Sequence, residues 1–289
     1  MNILIPGYLS IVTIDLYPEK PTYKTGPVDP GPVYFLPFLT RDFLISYRFA
    51  INPIYVQDMK RSQIRRFLKL SKLFSKPHPW HGIDIGENTP DVVKVFIEIV
   101  PGDTMKYELD KDSGYLKVDR PQRFSNICPM PYGFIPQTLC DERVGQYCMK
   151  KTGRDDIDGD QDPLDICVIT ERNIPHGNII LDAIPVGGFR MIDGEEADDK
   201  IIAVMKGDAS FGGMKDIQDV PNHIVERLSH YFLTYKQRPF SDEKREVEIT
   251  HIYNQKEAKE VISRSVKDYN NRFNIDKKEL FELIGSGLE

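Results

Sequence analysis

The sequence predicts an α+β fold, because short strand-like runs come first and two helical stretches follow them. Between Val92 and Val204, several runs alternate apolar and polar residues with the two-residue period of a half-buried strand. Two later stretches, Asp219 to Gln237 and Lys256 to Phe273, have apolar residues at helical spacing. Strands grouped before helices are typical of an α+β domain.

The first strand is predicted over Val92 to Val100. Its apolar residues recur at every second position from Val93 to Ile99, which leaves Lys94 and Glu98 on the opposite face. The predicted strand therefore has one core face and one polar face.

A β-hairpin is predicted next. The run Met105 to Leu109 carries Lys106 and Glu108 on one face. A turn over residues 112–114 separates it from a second strand, Leu116 to Arg120. Alone, these charged residues would be ordinary exposed strand residues.

The first helical stretch is predicted to begin with Asp219 as its N-cap and Pro221 in its first turn. Its apolar residues at helical spacing are Ile224, Leu228, Tyr231, Phe232 and Tyr235. On this pattern alone, Tyr235 is a core residue.

Four aspartates lie within the eight residues from Asp158 to Asp165, directly before the apolar run Ile166 to Ile169. Like charges at this spacing repel one another, and the cost disappears if the carboxylates surround divalent cations. Carboxylates without neighbouring Cys or His favour a hard cation such as Mg²⁺ over zinc. The alternative is a solvated acidic turn.

A calcium-binding EF-hand loop is a sharper rival, since the pattern D-x-D-x-D occurs twice. The sixth position of that loop needs Gly, but here it would be Gln161 or Pro163. The twelfth position would be Cys167 or Ile169 in place of a bidentate Glu. The pattern therefore argues against an EF-hand.

A second acidic segment, from Asp193 to Asp199, also precedes an apolar run, Ile201 to Val204. Because both acidic turns adjoin a strand, we expect them to converge at one end of a sheet. The chain also offers Lys, Arg and Tyr donors that can grip phosphate oxygens. Carboxylates for metals and donors for phosphate together indicate phosphoryl chemistry.

From His78 to the C-terminal helices, the chain resembles a soluble inorganic pyrophosphatase of family I. The stretch from Asp160 to Asp165 is similar to the family's aspartate signature. Other family residues occur in the same order at compatible spacing: Glu98, Lys106, Glu108, Arg120, Tyr132, Asp193, Asp198, Lys200, Tyr235 and Lys236. Gln161 stands where the family usually has a small residue, and Pro131 where Asn is frequent.

The resemblance implies a small closed OB-like β-barrel with flanking C-terminal helices, and it gives each site residue a role. Asp162 would be the general base. The metal ligands would be Asp160, Asp165, Asp193, Asp198, Glu98 and Glu108. The phosphate-binding residues would be Lys106, Arg120, Tyr132, Lys200, Tyr235 and Lys236.

The implied reaction is hydrolysis of inorganic pyrophosphate to two phosphates, with several Mg²⁺ ions in each active site. A homo-oligomer is also expected. The alternative is a catalytically silent protein that binds phosphate or metal on the same fold. The presence of Asp162 favours the enzyme, because a binding protein could dispense with a general base.

Charge divides the chain into two regions. Residues 1–76 carry 11 basic and 5 acidic side chains, whereas residues 77–289 carry 27 basic and 39 acidic ones. We expect a basic, Pro-rich N-terminal extension over 1–76 and a pyrophosphatase catalytic domain over 77–289. The acidic domain would repel nucleic acid. No apolar stretch approaches the ~20 residues that span a bilayer.

The role of the extension stays open. Residues 59–76 contain seven Lys or Arg and no acid, with apolar residues near helical spacing. This composition resembles a transit peptide or a membrane-surface helix, and a flexible basic tail fits equally well. The four cysteines lack CxxC spacing, which fits a reducing compartment. We expect a cytoplasmic protein, with organellar targeting by the extension as the alternative.

Overall fold

The computed structural model describes residues 2–3, 12–13, 76–238 and 247–273. The chain divides into two compact units, residues 1–51 and 52–289. In the first unit, strand β1 (Asn2–Ile3) pairs antiparallel with β2 (Val12–Thr13). The other predictions for residues 1–75, including the basic helix, fall outside the described residues.

The second unit contains a mixed β-sheet, a separate hairpin and three α-helices in its described part. The strands are β3 (Val93–Ile99), β4 (Met105–Leu109), β5 (Leu116–Pro121), β6 (Tyr132–Phe134), β7 (Asp158–Gly159), β8 (Asp165–Ile169), β9 (Ile179–Asp193), β10 (Glu196–Ala197), β11 (Lys200–Met205) and β12 (Val247–Asn254). The helices are α1 (Glu142–Thr152), α2 (Asn222–Thr234) and α3 (Gln255–Phe273). The predicted mixture of strands with C-terminal helices is confirmed.

The main sheet combines parallel and antiparallel pairs. Its order is β11, β8, β6, β3, β9, β10 and β7, and β12 also pairs with β9. Because the long strand β9 pairs with β11 as well, the path through β11, β8, β6, β3 and β9 returns to β11. The hairpin of β4 and β5 forms with Gly114 at a φ of 72° in its turn.

Strand β3 is covered on both faces, although the sequence predicts one polar face. Phe96 packs against Phe134 with the ring centroids 5.4 Å apart. Glu98 is 8% exposed, and its carboxylate accepts a hydrogen bond from the backbone N–H of Leu109 at 2.7 Å. Distant segments supply this second cover, so the alternation within β3 could not reveal it.

Helix α2 begins later than the sequence predicts. Its first residue is Asn222, directly after Pro221. Asp219 is not the N-cap, because its carboxylate accepts hydrogen bonds from the backbone N–H groups of Lys215 and Asp216 and closes a preceding 3-10 turn. The predicted apolar face is confirmed by the buried residues Ile224, Leu228, Tyr231 and Phe232.

Helix α1 and strand β12 were not predicted. Helix α1 has Glu142 in its first turn and Lys150 and Lys151 in its last, which complements the helix dipole. It ends at Gly153, whose φ of 75° is the left-handed conformation of a helix C-terminus. Helix α3 packs against both α1 and β9. None of the helices in the described ranges is long and apolar enough to cross a membrane.

Candidate active site

Two parallel strand pairs bring the acidic turns together. Strand β7 pairs in parallel with β10, so Asp160 and Asp198, which follow these strands directly, leave the sheet at the same end. Strand β8 pairs in parallel with β11, and its first residue, Asp165, lies opposite Lys200. Asp193 is the last residue of β9. The predicted convergence of the two acidic turns is confirmed.

These turns open into a cavity of about 520 Å³. Its wall includes twelve of the thirteen residues named from the sequence: Glu98, Lys106, Glu108, Tyr132, Asp160, Asp162, Asp165, Asp193, Asp198, Lys200, Tyr235 and Lys236. Arg120 is the exception and is not part of this wall. The carbon at the centre of its guanidinium is 5.8 Å from the ring centroid of Tyr235.

Lysine ammonium groups neutralise several of the cavity carboxylates. Lys200, whose side chain is 3% exposed, contacts both Asp165 and Asp198. Burial alone lowers the pKa of Lys200, but these two carboxylates raise it well above its ordinary value. Other ion pairs among the cavity residues are Lys106 with Glu108, Lys111 with Asp162, Lys117 with Asp110 and Lys236 with Asp193.

Negative charge is still in excess at the inner end of the cavity. Burial, followed by the carboxylates of Asp198 and Asp165, raises the pKa of Asp160 well above its ordinary value. Burial and then Asp165 raise the pKa of Glu98 to about 8. The pKa of Asp198 is also raised, chiefly by burial. An additional cation at this end would relieve the repulsion.

The chemistry of the cavity suits a hard divalent cation. Its described lining offers carboxylate, hydroxyl and ammonium groups and includes neither Cys nor His. With the lysines inserted between the carboxylates, no three His, Cys, Asp or Glu side chains in the described ranges form a ready coordination group. A bound cation would therefore take over charge that the ammonium groups now balance.

Two tyrosines add hydrogen-bond donors to the wall. The Tyr132 hydroxyl donates to the Asp165 carboxylate at 2.5 Å. Burial raises the pKa of Tyr132 well above its ordinary value and also raises that of Tyr235, so both hydroxyls stay protonated at neutral pH. Tyr235 stacks on Tyr231 with the ring centroids 5.6 Å apart, yet it lines the cavity. The helical pattern alone predicts that Tyr235 packs in the core, but it does not predict that Tyr235 lines the cavity.

Side chains alternate in direction along residues 198–200, which join β10 to β11. Asp198 and Lys200 line it, whereas Asp199 points away and lies 2.8 Å from the fully buried guanidinium of Arg190. Burial raises the pKa of Asp199 to about 7, although Arg190 opposes the shift. Asp199 therefore belongs to a buried ion pair behind the site.

The cavity wall also contains charged residues that no sequence motif indicated: Asp110, Lys111, Asp112, Lys117 and Glu196. Lys111 is the most informative of these, because its ammonium contacts the Asp162 carboxylate. The signal was present, since Lys111 stands between two aspartates only three residues after Glu108. Lys111 lies directly before the turn predicted over residues 112–114, and the sequence pattern assigns it no role.

Crowded carboxylates beside Lys and Tyr donors are typical of enzymes that act on phosphate groups with divalent metals. Residues 95–270 match the family model "Inorganic pyrophosphatase". The chain therefore belongs to the inorganic pyrophosphatase family.

Individual relatives agree with this assignment. An inorganic pyrophosphatase of Chlamydia muridarum is 49% identical over 199 residues, which cover 68% of this chain and 95% of the relative. Soluble inorganic pyrophosphatase 1 of Arabidopsis thaliana is 35% identical over 200 residues, or 69% of this chain and 84% of that protein. The crystal structure of the Thermus thermophilus inorganic pyrophosphatase matches with a TM-score of 0.56 at 30% identity, covering 67% of this chain and 99% of that one.

Proposed function

We propose that this chain hydrolyses inorganic pyrophosphate to two phosphates with the help of Mg²⁺. The observation that carries the proposal is the cavity in which buried carboxylates lie beside lysine and tyrosine donors. Pyrophosphate is a compact polyanion, so a site for it must neutralise charge on the phosphates without repelling them. Only a site with cations held by the carboxylates and with its own positive donors meets both requirements.

The cations would be held at the inner end of the cavity. Asp160, Asp165 and Asp198 are the proposed ligands for two metals, and Asp193 joins Asp198 for a further one. Glu98 and Glu108 are auxiliary metal groups. When bound, Mg²⁺ ions neutralise phosphate oxygens and lower the pKa of coordinated water. Lys200 would then be free to turn its ammonium from the carboxylates to a phosphate.

Asp162 is the proposed general base. Its side chain is 50% exposed and lines the cavity, where its carboxylate can reach a water molecule beside the substrate. As the water oxygen bonds to phosphorus, Asp162 accepts the proton, and the bond from phosphorus to the bridging oxygen breaks. The electron pair of that bond leaves with the second phosphate.

The remaining residues would grip the phosphates. The proposed donors are Lys106, Arg120, Tyr132, Lys200, Tyr235 and Lys236. Ammonium and guanidinium groups stabilise the transition state most where charge develops on the leaving oxygen, because donors fixed before the reaction need not reorganise. The contact of Arg120 with Tyr235 supports such a fixed position for the guanidinium.

Phosphate release from pyrophosphate, measured with and without Mg²⁺, tests the proposal. We expect release that depends on Mg²⁺ and that stops when EDTA is added. A folded protein that binds Mg²⁺ and pyrophosphate but releases no phosphate would contradict it. That result would support the catalytically silent binding protein.

Arg120→Ala tests the phosphate donors. We expect KM for pyrophosphate to rise or kcat to fall by about tenfold, the scale of one lost charged hydrogen bond. The Mg²⁺ concentration that half-activates the enzyme should change little. Steady-state kinetics at several Mg²⁺ concentrations provides the measurement. Arg172→Ala is the matched control, because that side chain is 84% exposed and outside the cavity. If both variants keep wild-type kinetics, Arg120 is only a surface residue.

The fold and assembly proposals follow from the same resemblance. We propose that the ring of strand pairs β11, β8, β6, β3 and β9 closes as an OB-like barrel, with α2 and α3 packed outside. The repeated pairing of β9, with β3 and with β11, supports closure. We also propose a cytoplasmic homo-oligomer, with the extension over 1–76 as a targeting or assembly segment.

Deleting residues 1–74 tests the domain division. All proposed site residues lie at or after Glu98, so we expect the truncated protein to keep its kcat and KM within about twofold. Kinetics, thermal midpoint and size-exclusion chromatography on both forms would check this. A folded, inactive truncation would mean that the extension completes the site or stabilises an active oligomer.

A further inference from the structure

The aspartate signature contains a residue with an unusual backbone conformation. Gln161, between Asp160 and Asp162, has a φ of 62°. This left-handed conformation is common for Gly and tolerated by Asn, but it is unfavourable for a side chain such as Gln. Interactions around Gln161 must therefore hold the loop in this shape.

The side chain of Gln161 supplies such interactions. Its amide nitrogen donates to the Asp141 carboxylate at 2.8 Å, and its amide oxygen accepts from the Arg272 guanidinium at 2.7 Å. Arg272 also donates to Asp141 at 2.9 Å. The three side chains close a triangle, which we call the Gln161 clamp. It joins the aspartate loop to the residue before α1 and to the end of α3.

The backbone of the loop lies against the same segment. The N–H of Gln161 donates to the Cys140 carbonyl at 2.9 Å, and the N–H of Cys140 donates to the Asp162 carbonyl at 2.8 Å. A Cβ on Gly159 would lie 2.4 Å from the Cys140 carbonyl oxygen, so only Gly permits this approach. The loop is thus attached on both sides of Gln161.

A buried carboxylate holds the segment that carries Asp141. Asp268 of α3 is 2% exposed, and its carboxylate accepts from the backbone N–H groups of Asp141, Arg143 and Val144 at 3.3, 3.0 and 3.2 Å. Asp268 therefore caps α1 from another helix, a role that the side chain of Asp141 does not fill. This leaves Asp141 available for Gln161 and Arg272.

We propose that Gln161 is a positioning residue, and that the Gln161 clamp fixes the directions of Asp160 and Asp162 in the cavity. None of the three clamp side chains lines the cavity, so the clamp acts through its neighbours in the loop. Its kinetic consequence rests on the proposed function. Its effect on the loop does not.

Three variants separate the clamp from the backbone conformation. Gln161→Asn keeps a residue that tolerates positive φ but is too short to reach both partners. Arg272→Met removes the clamp from α3 without changing the loop sequence. Lys267→Met is the matched control, because it removes an exposed cation from the same helix.

Amide hydrogen exchange of residues 159–162 in metal-free protein is the first measurement. We expect about tenfold faster exchange in Gln161→Asn and Arg272→Met, the scale of one lost hydrogen bond to a charged group. The control should match the wild type. The double variant should be no faster than the faster single variant, because both changes remove one unit.

Kinetics and Mg²⁺ titrations form the second measurement. We expect both clamp variants to need more Mg²⁺ for half-maximal activity and to lose kcat more than KM, at an unchanged thermal midpoint. Wild-type exchange rates, additive losses in the double variant, or a lower thermal midpoint with an unchanged Mg²⁺ requirement would each overturn the proposal. If the wild type releases no phosphate, the proposed function fails, while the exchange rates still decide whether the clamp holds the loop.

Discussion

Asp162→Asn is expected to lower kcat by about 10²-fold or more, the usual loss when a general base is removed. The amide has almost the same shape as the carboxylate, so the loop and the cavity should persist. It cannot accept a proton from water, and this single chemical difference carries the effect. Measurements of kcat at saturating Mg²⁺ and pyrophosphate would check the result.

The matched control for this substitution is Asp158→Asn. Asp158 belongs to the same group of four aspartates, but it is exposed and does not line the cavity. We expect its kcat to stay near that of the wild type. If Asp162→Asn turns over within about threefold of the wild type, the base lies elsewhere, because general-base catalysis is worth far more than that.

Polar residues made the site largely predictable from the sequence. Asp160, Asp162 and Asp165 indicated a cation site, because four aspartates in one short segment repel one another without a counter-ion. The second acidic segment stands directly before another strand, so its convergence with the first was also predicted. The parallel pairing of Asp165 with Lys200 now gives the geometric cause.

Features that depend on distant contacts could not be predicted in this way. The sequence of β3 shows one apolar face, but Phe134 and neighbouring aromatic residues cover the other face as well. Asp219 has the residue type of an N-cap, yet two nearby backbone N–H groups occupy its carboxylate. Periodicity records which faces are apolar and not which partners other segments bring to them.

Gln161 and Tyr235 show the same limit within the site. A positive φ at Gln161 leaves no periodic signal, and its partners Asp141 and Arg272 are far away in sequence. Tyr235 follows the apolar spacing of α2, so the pattern alone places it in the core. Tyr235 is itself still helical at the end of α2, and this end of the helix adjoins the cavity.

Lys200→Met is expected to produce the largest change in stability. Lys200 is the buried cation between Asp165 and Asp198, and its removal leaves two carboxylates without a partner in the metal-free protein. Removing one partner from a buried ion pair typically costs about 3–5 kcal/mol. Without the ammonium, the pKa of the Asp198 carboxyl would rise further above its ordinary value, so the folded state would bind a proton more readily and stability should fall as the pH rises from acidic to neutral. Thermal unfolding in EDTA across this range is the measurement.

Mg²⁺ should restore part of this loss, because a cation bound by Asp165 and Asp198 replaces the charge of the missing ammonium group. The rise in thermal midpoint on adding Mg²⁺ should therefore be larger for Lys200→Met than for the wild type, while kcat stays low because a phosphate donor is missing. Lys206→Met, an exposed lysine just after β11, should change neither quantity. An equal Mg²⁺ response in Lys200→Met and wild type would show that metal and ammonium do not share these carboxylates. Asp165 and Asp198 would then have to be removed from the proposed metal ligands. A larger response in Lys200→Met would instead support both residues as metal ligands, by a measurement that does not depend on turnover.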